Sequence, residues 1–296
     1  MRAPYSRTFQ KRGKFNADTD DPIEPSRNRD IAMNPRLFNR YGPVALVTGA
    51  SDGIGRAFAE DLAKAGFELV LVARRRDLLD QLAAKLHNET GAKVTVVAQD
   101  LSIAGAVEGL AGAIDLSRVG LVVAAAGFGT SGPFLSGDIA NELNMVDLNC
   151  RSVADLVHHC GNAMVAERRG GIILLGSLVA LQGVPRFANY AATKAYVQSL
   201  GEGLYHELKP HGVDVLVVAP GPVGSGFAAR AGMIMGGTDT PEMVARDGLR
   251  AIGRKGTVRP GRLGKLLELI LSPLPRRART MILKQSIAGM TKHRTD

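Results

Sequence analysis

Cysteine is scarce in this chain of 296 residues, with only Cys150 and Cys160 present. Two thiols cannot build a disulfide framework, so a stapled secreted scaffold is excluded, and both read as small core residues in a reducing compartment. Long apolar runs are also missing. None reaches the roughly 18 residues of a membrane-spanning helix. The segment Met1 to Arg12 lacks the apolar stretch of a secretory signal, yet it is rich in arginine and free of acid until Asp18. That leaves an organellar transit reading open beside a cytoplasmic one. Metal-ligand spacing is absent too: His158 and His159 stand side by side with no carboxylate or cysteine pattern around them, so no metal site is expected.

Net positive charge is missing from the middle of the chain, where a nucleic-acid-binding face would need it. Residues 41–250 hold 17 Lys/Arg against 21 Asp/Glu, whereas residues 1–40 hold 9 against 5 and residues 251–296 hold 11 against 2. The net charge of +9 therefore belongs to the ends, and nucleic acid is not an expected partner. A basic C-terminal tail usually contacts water. Here it also carries short apolar segments, Leu266 to Leu271 and Met281 to Leu283, so peripheral membrane contact and packing on a neighbouring subunit stay open as alternatives. Residues 1–40 have no helical or strand periodicity and read as an extension outside the core.

Between the ends, strand-like runs alternate with helical ones. Pro43 to Thr48 is followed by the turn Gly49-Ala-Ser-Asp-Gly53-Ile-Gly55 and a helical segment from Arg56. Strand, glycine turn and helix let backbone N–H groups approach a pyrophosphate at the helix N-terminus, where aligned peptide dipoles favour an anion. A second strand, Glu68 to Val72, ends in Arg74-Arg75-Arg76 with no acid to hold a ribose 2′-hydroxyl. Three arginines near a helix N-terminus oppose its dipole unless an anion lies nearby, which favours NADP(H) over NAD(H), with Arg74 as the contact to the 2′-phosphate. Asp52 adds negative charge at the same end, and arginines that simply point into water are the bland alternative. Further strands are expected at Lys93 to Ala98, Leu121 to Ala126, Gly171 to Leu175 and Val213 to Val218, with a helical stretch over 139–167. This alternation predicts an α/β fold, a doubly wound parallel sheet of Rossmann type over residues 41–260, with extensions 1–40 and 261–296.

The densest chemistry lies in Ser177 to Lys194. Tyr190 and Lys194 are four residues apart, so on a helix they share one face, ammonium beside phenol. A phenol with a free pKa of about 10 is drawn toward neutral working range by a nearby cation. Taken in order, Thr48-Gly-Ala-Ser-Asp-Gly53-Ile-Gly55, Asp100-Leu101, Asn149, Ser177, Tyr190-Ala-Ala-Thr-Lys194 and Pro220-Gly-Pro-Val223 resemble the motifs of the short-chain dehydrogenase/reductase family over about Val44 to Val258.

The resemblance implies hydride transfer between a nicotinamide cofactor and a small-molecule carbonyl or alcohol, in a homodimer or homotetramer. By it, Tyr190 is the proton donor or base, Lys194 lowers the tyrosine pKa and holds the nicotinamide ribose, and Ser177 bonds the substrate oxygen. Asn149 positions a water in the proton relay. Thr48, Gly49, Ser51, Asp52, Gly53, Ile54, Gly55, Arg74, Asp100, Leu101, Ala126, Gly127, Pro220, Gly221, Val223 and Ser225 border the cofactor, with Tyr190 and Lys194. In one place the chain departs from the family: where Asn-Asn-Ala-Gly is usual it reads Ala124-Ala-Ala-Gly127. The loss of two amides, with the basic ends, motivates a rival reading of a cofactor-binding regulator or scaffold without turnover. The glycine-rich stretch from Gly224 to Asp239, with Phe128, Leu178, Val179 and Phe187, predicts a hydrophobic pocket for a lipid-like, steroid-like or acyl substrate.

Overall fold

The Val-, Ile- and Leu-rich runs form the strands of a single sheet in a computed structural model that describes residues 35–224, 226–231, 239–271 and 273–290. The strands are β1 (Val44–Thr48), β2 (Glu68–Ala73), β3 (Val94–Ala98), β4 (Val119–Ala124), β5 (Gly170–Leu175), β6 (Val213–Val218) and β7 (Thr257–Val258). They run parallel in the order β3-β2-β1-β4-β5-β6-β7. A parallel sheet covered on both faces needs apolar side chains on both, which is why its central strands read as continuous apolar runs. In β1, Val44 and Leu46 enter one core while Ala45 and Val47 enter the other.

The helices are α1 (Pro35–Tyr41), α2 (Gly53–Lys64), α3 (Arg76–Thr90), α4 (Ala106–Ala113), α5 (Ile139–Val146), α6 (Ser152–Ala166), α7 (Ala188–Leu208), α8 (Gly226–Ala231), α9 (Pro241–Ala251), α10 (Arg262–Leu271) and α11 (Arg276–Met290). Leu62 of α2, Leu79 and Leu82 of α3 and Val244 and Leu249 of α9 fill one core. Val107 and Leu110 of α4, Leu156 and Val157 of α6 and Val197 of α7 fill the opposite one. The order of the strands reverses between β1 and β4. Crossovers leave these neighbours toward opposite faces, and a crevice opens at their carboxyl ends.

Three sequence expectations change. Residues 35–40 are not outside the core: α1 buries Leu37 and Tyr41, and burying a leucine side chain stabilises by about 1.5 to 3 kcal/mol. The Tyr41 hydroxyl donates to Asp214 Oδ2 on β6 at 2.8 Å, and Arg40 Nε reaches the same oxygen at 2.7 Å. Nor is the C-terminal segment merely a solvated tail. Leu271 of α10 and Leu283 of α11 are buried in the α6–α7 side core, and Thr280 Oγ1 on α11 donates to Gly183 O. Finally, the helical stretch 139–167 is broken by a π-helical turn at Asp147–Arg151, where the Ser152 N–H reaches back five residues to Asp147 O. Residues 1–34, Ser225 and 232–238 of the glycine-rich stretch lie outside the described residues.

Candidate active site

Ser177 lies two residues beyond the end of β5 in extended backbone, and its Oγ accepts from Val179 N at 3.4 Å. Across from it, α7 presents Tyr190 and Lys194 one turn apart, both buried. The phenol faces Ser177, whose hydroxyl favours its ionised form. Lys194 Nζ lies 5.8 Å from the centre of the tyrosine ring and donates to Leu175 O at 2.7 Å. The electrostatics differ from the simple cation-beside-phenol picture. Burial pushes the Tyr190 phenol up, with the Ser177 hydroxyl opposing, and burial pulls Lys194 down to about 8. Desolvation penalises both charged forms, and it is the largest influence on each. A lysine near 8 is still largely protonated at neutral pH, poised to take and return charge as the phenol ionises.

Asn149 is buried on the π-helical turn and does not line the cleft. Its Nδ2 donates to Phe128 O at 2.9 Å and Thr193 Oγ1 at 3.0 Å, while Oδ1 accepts from Phe128 N at 3.1 Å. The amide clamps the segment after β4 to the helix of the tyrosine. It adjoins Lys194 through Gly127, whose hypothetical Cβ would fall 2.9 Å from Asn149 Oδ1 and 3.6 Å from Lys194 Nζ. The side chain therefore works as a positioning clamp, with both its donors engaged.

The glycine turn has the geometry of a phosphate cradle. Gly49 has φ +67°, and a Cβ there would lie 2.8 Å from Ala126 N; one at Gly55 would run into the Gly49 carbonyl. The turn is thus drawn tightly against the end of β4 and the start of α2, as only glycine permits. Thr48 Oγ1 accepts from Ala126 N at 3.1 Å and faces Val123 O at 3.5 Å. This hydroxyl ties β1 to the end of β4 although Ala124 and Ala125 lack amide side chains. Gly53, Ile54 and Gly55, the first turn of α2, line the crevice, while the Asp52 carboxylate accepts from Gly53 N at 2.7 Å. At the end of β2, Arg74 lies 3.6 Å from Asp100, and Arg75 donates to Ser51 Oγ at 3.1 Å and stands 3.9 Å from Asp52. One cavity of about 810 Å³ runs from these arginines to Ser177, Tyr190 and Lys194. A close-approach glycine turn at one helix end, cationic groups at the far end and donors at the near end fit a nicotinamide dinucleotide.

The short chain dehydrogenase family model matches residues 43–232, and it spans both the glycine turn and the tyrosine–lysine pair. The chain belongs to the short-chain dehydrogenase family. It is an oxidoreductase of the class that acts on CH–OH and C=O groups. It is 34% identical over 230 residues to the 7beta-hydroxysteroid dehydrogenase of Clostridium sardiniense, covering 76% of this chain and 88% of that one. It is 36% identical over 190 residues to the very-long-chain 3-oxoacyl-CoA reductase of Podospora anserina, covering 62% of this chain and 56% of the reductase, so it spans little more than half of that protein. A solved short-chain dehydrogenase from Sphingobium yanoikuyae in complex with NADPH superposes with TM-score 0.69 at 29% identity, covering 84% of this chain and 94% of that one.

Of the residues expected at the dehydrogenase site, Gly49, Ser51, Asp52, Gly53, Ile54, Gly55, Arg74, Asp100, Leu101, Ala126, Gly127, Ser177, Tyr190, Lys194, Pro220, Gly221 and Val223 all line the cavity. Thr48 and Asn149 act from behind it, and Ser225 lies outside the described residues. The apolar wall expected from Phe128, Leu178, Val179 and Phe187 is present. Sequence reasoning missed Phe227 and Arg230 on α8 and Ile282 and Leu283 on α11, which also line the cavity. Their only sequence signal was apolar or basic character in segments without strong periodicity, and their approach to the site is wholly tertiary.

Proposed function

We propose that this dehydrogenase transfers hydride between NADP(H) and a bulky hydrophobic ketone or secondary alcohol of steroid-like or acyl character. The observation that carries the reading is the wall around the acid–base pair. Phe128, Leu178, Val179, Phe187, Phe227, Ile282 and Leu283 surround the volume next to Ser177 and Tyr190. A cavity with apolar walls and few converging polar groups selects an apolar substrate and orients it by its one oxygen. The names of the steroid dehydrogenase and acyl-CoA reductase relatives support the same class. NADP(H) is favoured because Arg74 and Arg75 stand at the end of β2, where an acid would be needed to hold a free 2′-hydroxyl.

In reduction, the Ser177 and Tyr190 hydroxyls donate to the substrate carbonyl oxygen. NADPH held by the glycine turn and the arginines at the end of β2 would supply the hydride that the carbonyl carbon takes up. As negative charge grows on oxygen, these donors gain strength in the transition state, and the Tyr190 proton passes to the nascent alkoxide. Lys194 opposes the charge of the resulting phenolate. In oxidation the same proton travels from alcohol to Tyr190. Asn149 acts at one remove, by keeping the Phe128 segment and α7 in register.

Purified protein should bind NADPH more tightly than NADH and oxidise it with bulky apolar ketones. Tyr190→Phe should lower kcat by about 10²- to 10⁴-fold while NADPH binding is kept. Cofactor binding with no turnover across a ketone and aldehyde panel, unchanged by Tyr190→Phe, would instead establish the non-catalytic scaffold reading.

We also propose peripheral contact with anionic membrane through α10 and α11. Leu266, Leu269, Ile270 and Met281 are exposed there, beside exposed Lys265, Arg276, Arg277 and Lys284. Exposed apolar side chains flanked by basic ones are what an interfacial helix presents to acidic lipid. Among the described residues no helix is long and apolar enough to cross a membrane.

A further inference from the structure

The short helix α8 crosses the cleft and touches each part of it. Gly226 approaches Asp52 of the glycine turn so closely that a Cβ there would collide with the carboxylate. The Phe227 ring lies 5.3 Å from that of Tyr190. Arg230 places its guanidinium carbon 4.2 Å from the centre of the buried Phe128 ring. The end of the helix is tied down by Ser131 Oγ, which donates to Ala231 O at 2.5 Å. An arginine stacked on an aromatic face spends only its own face on that contact, and its in-plane N–H donors stay available at the edge.

Among the described residues Arg230 has no ion-pair partner, while Asp100 is engaged by Arg74 and Ser102, and Asp52 by Gly53 and Arg75. Partial burial depresses the Arg230 pKa, repulsion from Arg74 and Arg75 adds to that, and attraction to Asp100 opposes it. Three guanidiniums around one cavity, against two carboxylates already occupied, form a site that an anion stabilises. We propose that Arg230 is a phosphate ligand for the bound dinucleotide, carried by α8, which completes the cationic set begun by Arg74 and Arg75. The phosphate it takes is either the 2′-phosphate or the diphosphate. This rests on the proposed NADP(H) reading. Because α8 also carries Phe227 against Tyr190, a phosphate held by Arg230 would fix the wall of the substrate pocket.

Isothermal titration of the full chain with NADPH, NADH and 2′,5′-ADP tests the inference without any turnover. Arg230→Gln should weaken NADPH binding about tenfold or more, the usual effect of losing a hydrogen bond to a charged group. Arg230→Lys, which keeps the charge and loses the fork, should recover part of it. The loss should shrink as salt rises. A loss for NADPH and 2′,5′-ADP with NADH unaffected assigns Arg230 to the 2′-phosphate, whereas equal losses for NADPH and NADH assign it to the diphosphate. Wild-type affinity for all three ligands in a folded Arg230→Gln protein, with unchanged melting temperature, overturns the proposal and leaves the NADP(H) reading standing. A wild-type preference for NADH removes the NADP(H) reading, and the diphosphate arm then still decides the role of Arg230. Failure of the wild type to bind any of the three overturns both.

Discussion

Lys194 shows how one buried residue sets a working pH. Its ammonium sits among apolar groups with Leu175 O as its hydrogen-bond acceptor, and burial lowers its pKa to about 8. Below that value the group is charged and opposes phenolate charge on Tyr190. Above it the charge is lost. Carbonyl reduction should therefore hold level at neutral pH and fall as pH rises through about 8, and Lys194→Met should be slower by about 10²- to 10⁴-fold with that break absent from its profile. A pH–rate profile of kcat for both proteins checks this; a wild-type rate that climbs steadily through pH 8 would contradict it. That Ser177, Tyr190 and Lys194 come together was legible from sequence because two share a helical turn and the third lies just past an apolar strand. The protonation balance was not, since it depends on how completely Lys194 and Tyr190 are buried, and burial is a property of the packed fold.

At the level of elements, the alternating apolar runs gave β1 to β6 to within about two residues, because strands buried on both faces leave an unbroken apolar signature. The π-helical turn at Asp147–Arg151 did not show, since one extra residue in a turn barely alters apolar spacing. The seven residues of α1 did not show either. Its hold on the core is a buried Leu37 and a Tyr41–Asp214 hydrogen bond spanning 173 positions, and neither is a periodic signal. The same applies to α11, whose Leu283 is buried and lines the cavity. Leu283→Ala should raise KM for a bulky ketone about tenfold, within the range for lost methylene contacts in an apolar pocket. NADPH affinity should stay unchanged. Steady-state kinetics with a matched titration would detect the split; equal weakening of ketone and NADPH would mean that α11 supports the whole cleft and not the substrate wall.

For the whole molecule, charge is segregated along the chain. The segment 41–250 is slightly acidic, whereas residues 251–296 are strongly basic, and α10 and α11 expose Leu266, Leu269, Ile270 and Met281. The protein should sediment with vesicles containing acidic phospholipid at low salt and stay in solution with zwitterionic ones. Arg276→Glu with Arg277→Glu should abolish the difference while leaving ketone reduction in free solution intact; equal binding to both vesicle types would count against the contact. The basic tail was plain in the composition, but its return to the cavity was not, because a wall contact depends on where the chain folds back. That return has an evolutionary consequence. The proposed proton-transfer residues sit on or beside β5 and α7 and the proposed dinucleotide cradle on β1, β2 and α2, yet Ile282 and Leu283 belong to α11, outside both sets. Substitutions in α11 can therefore redraw the range of accepted substrates while sheet register and hydride chemistry are inherited unchanged, so selection can act on substrate and reaction as nearly independent traits.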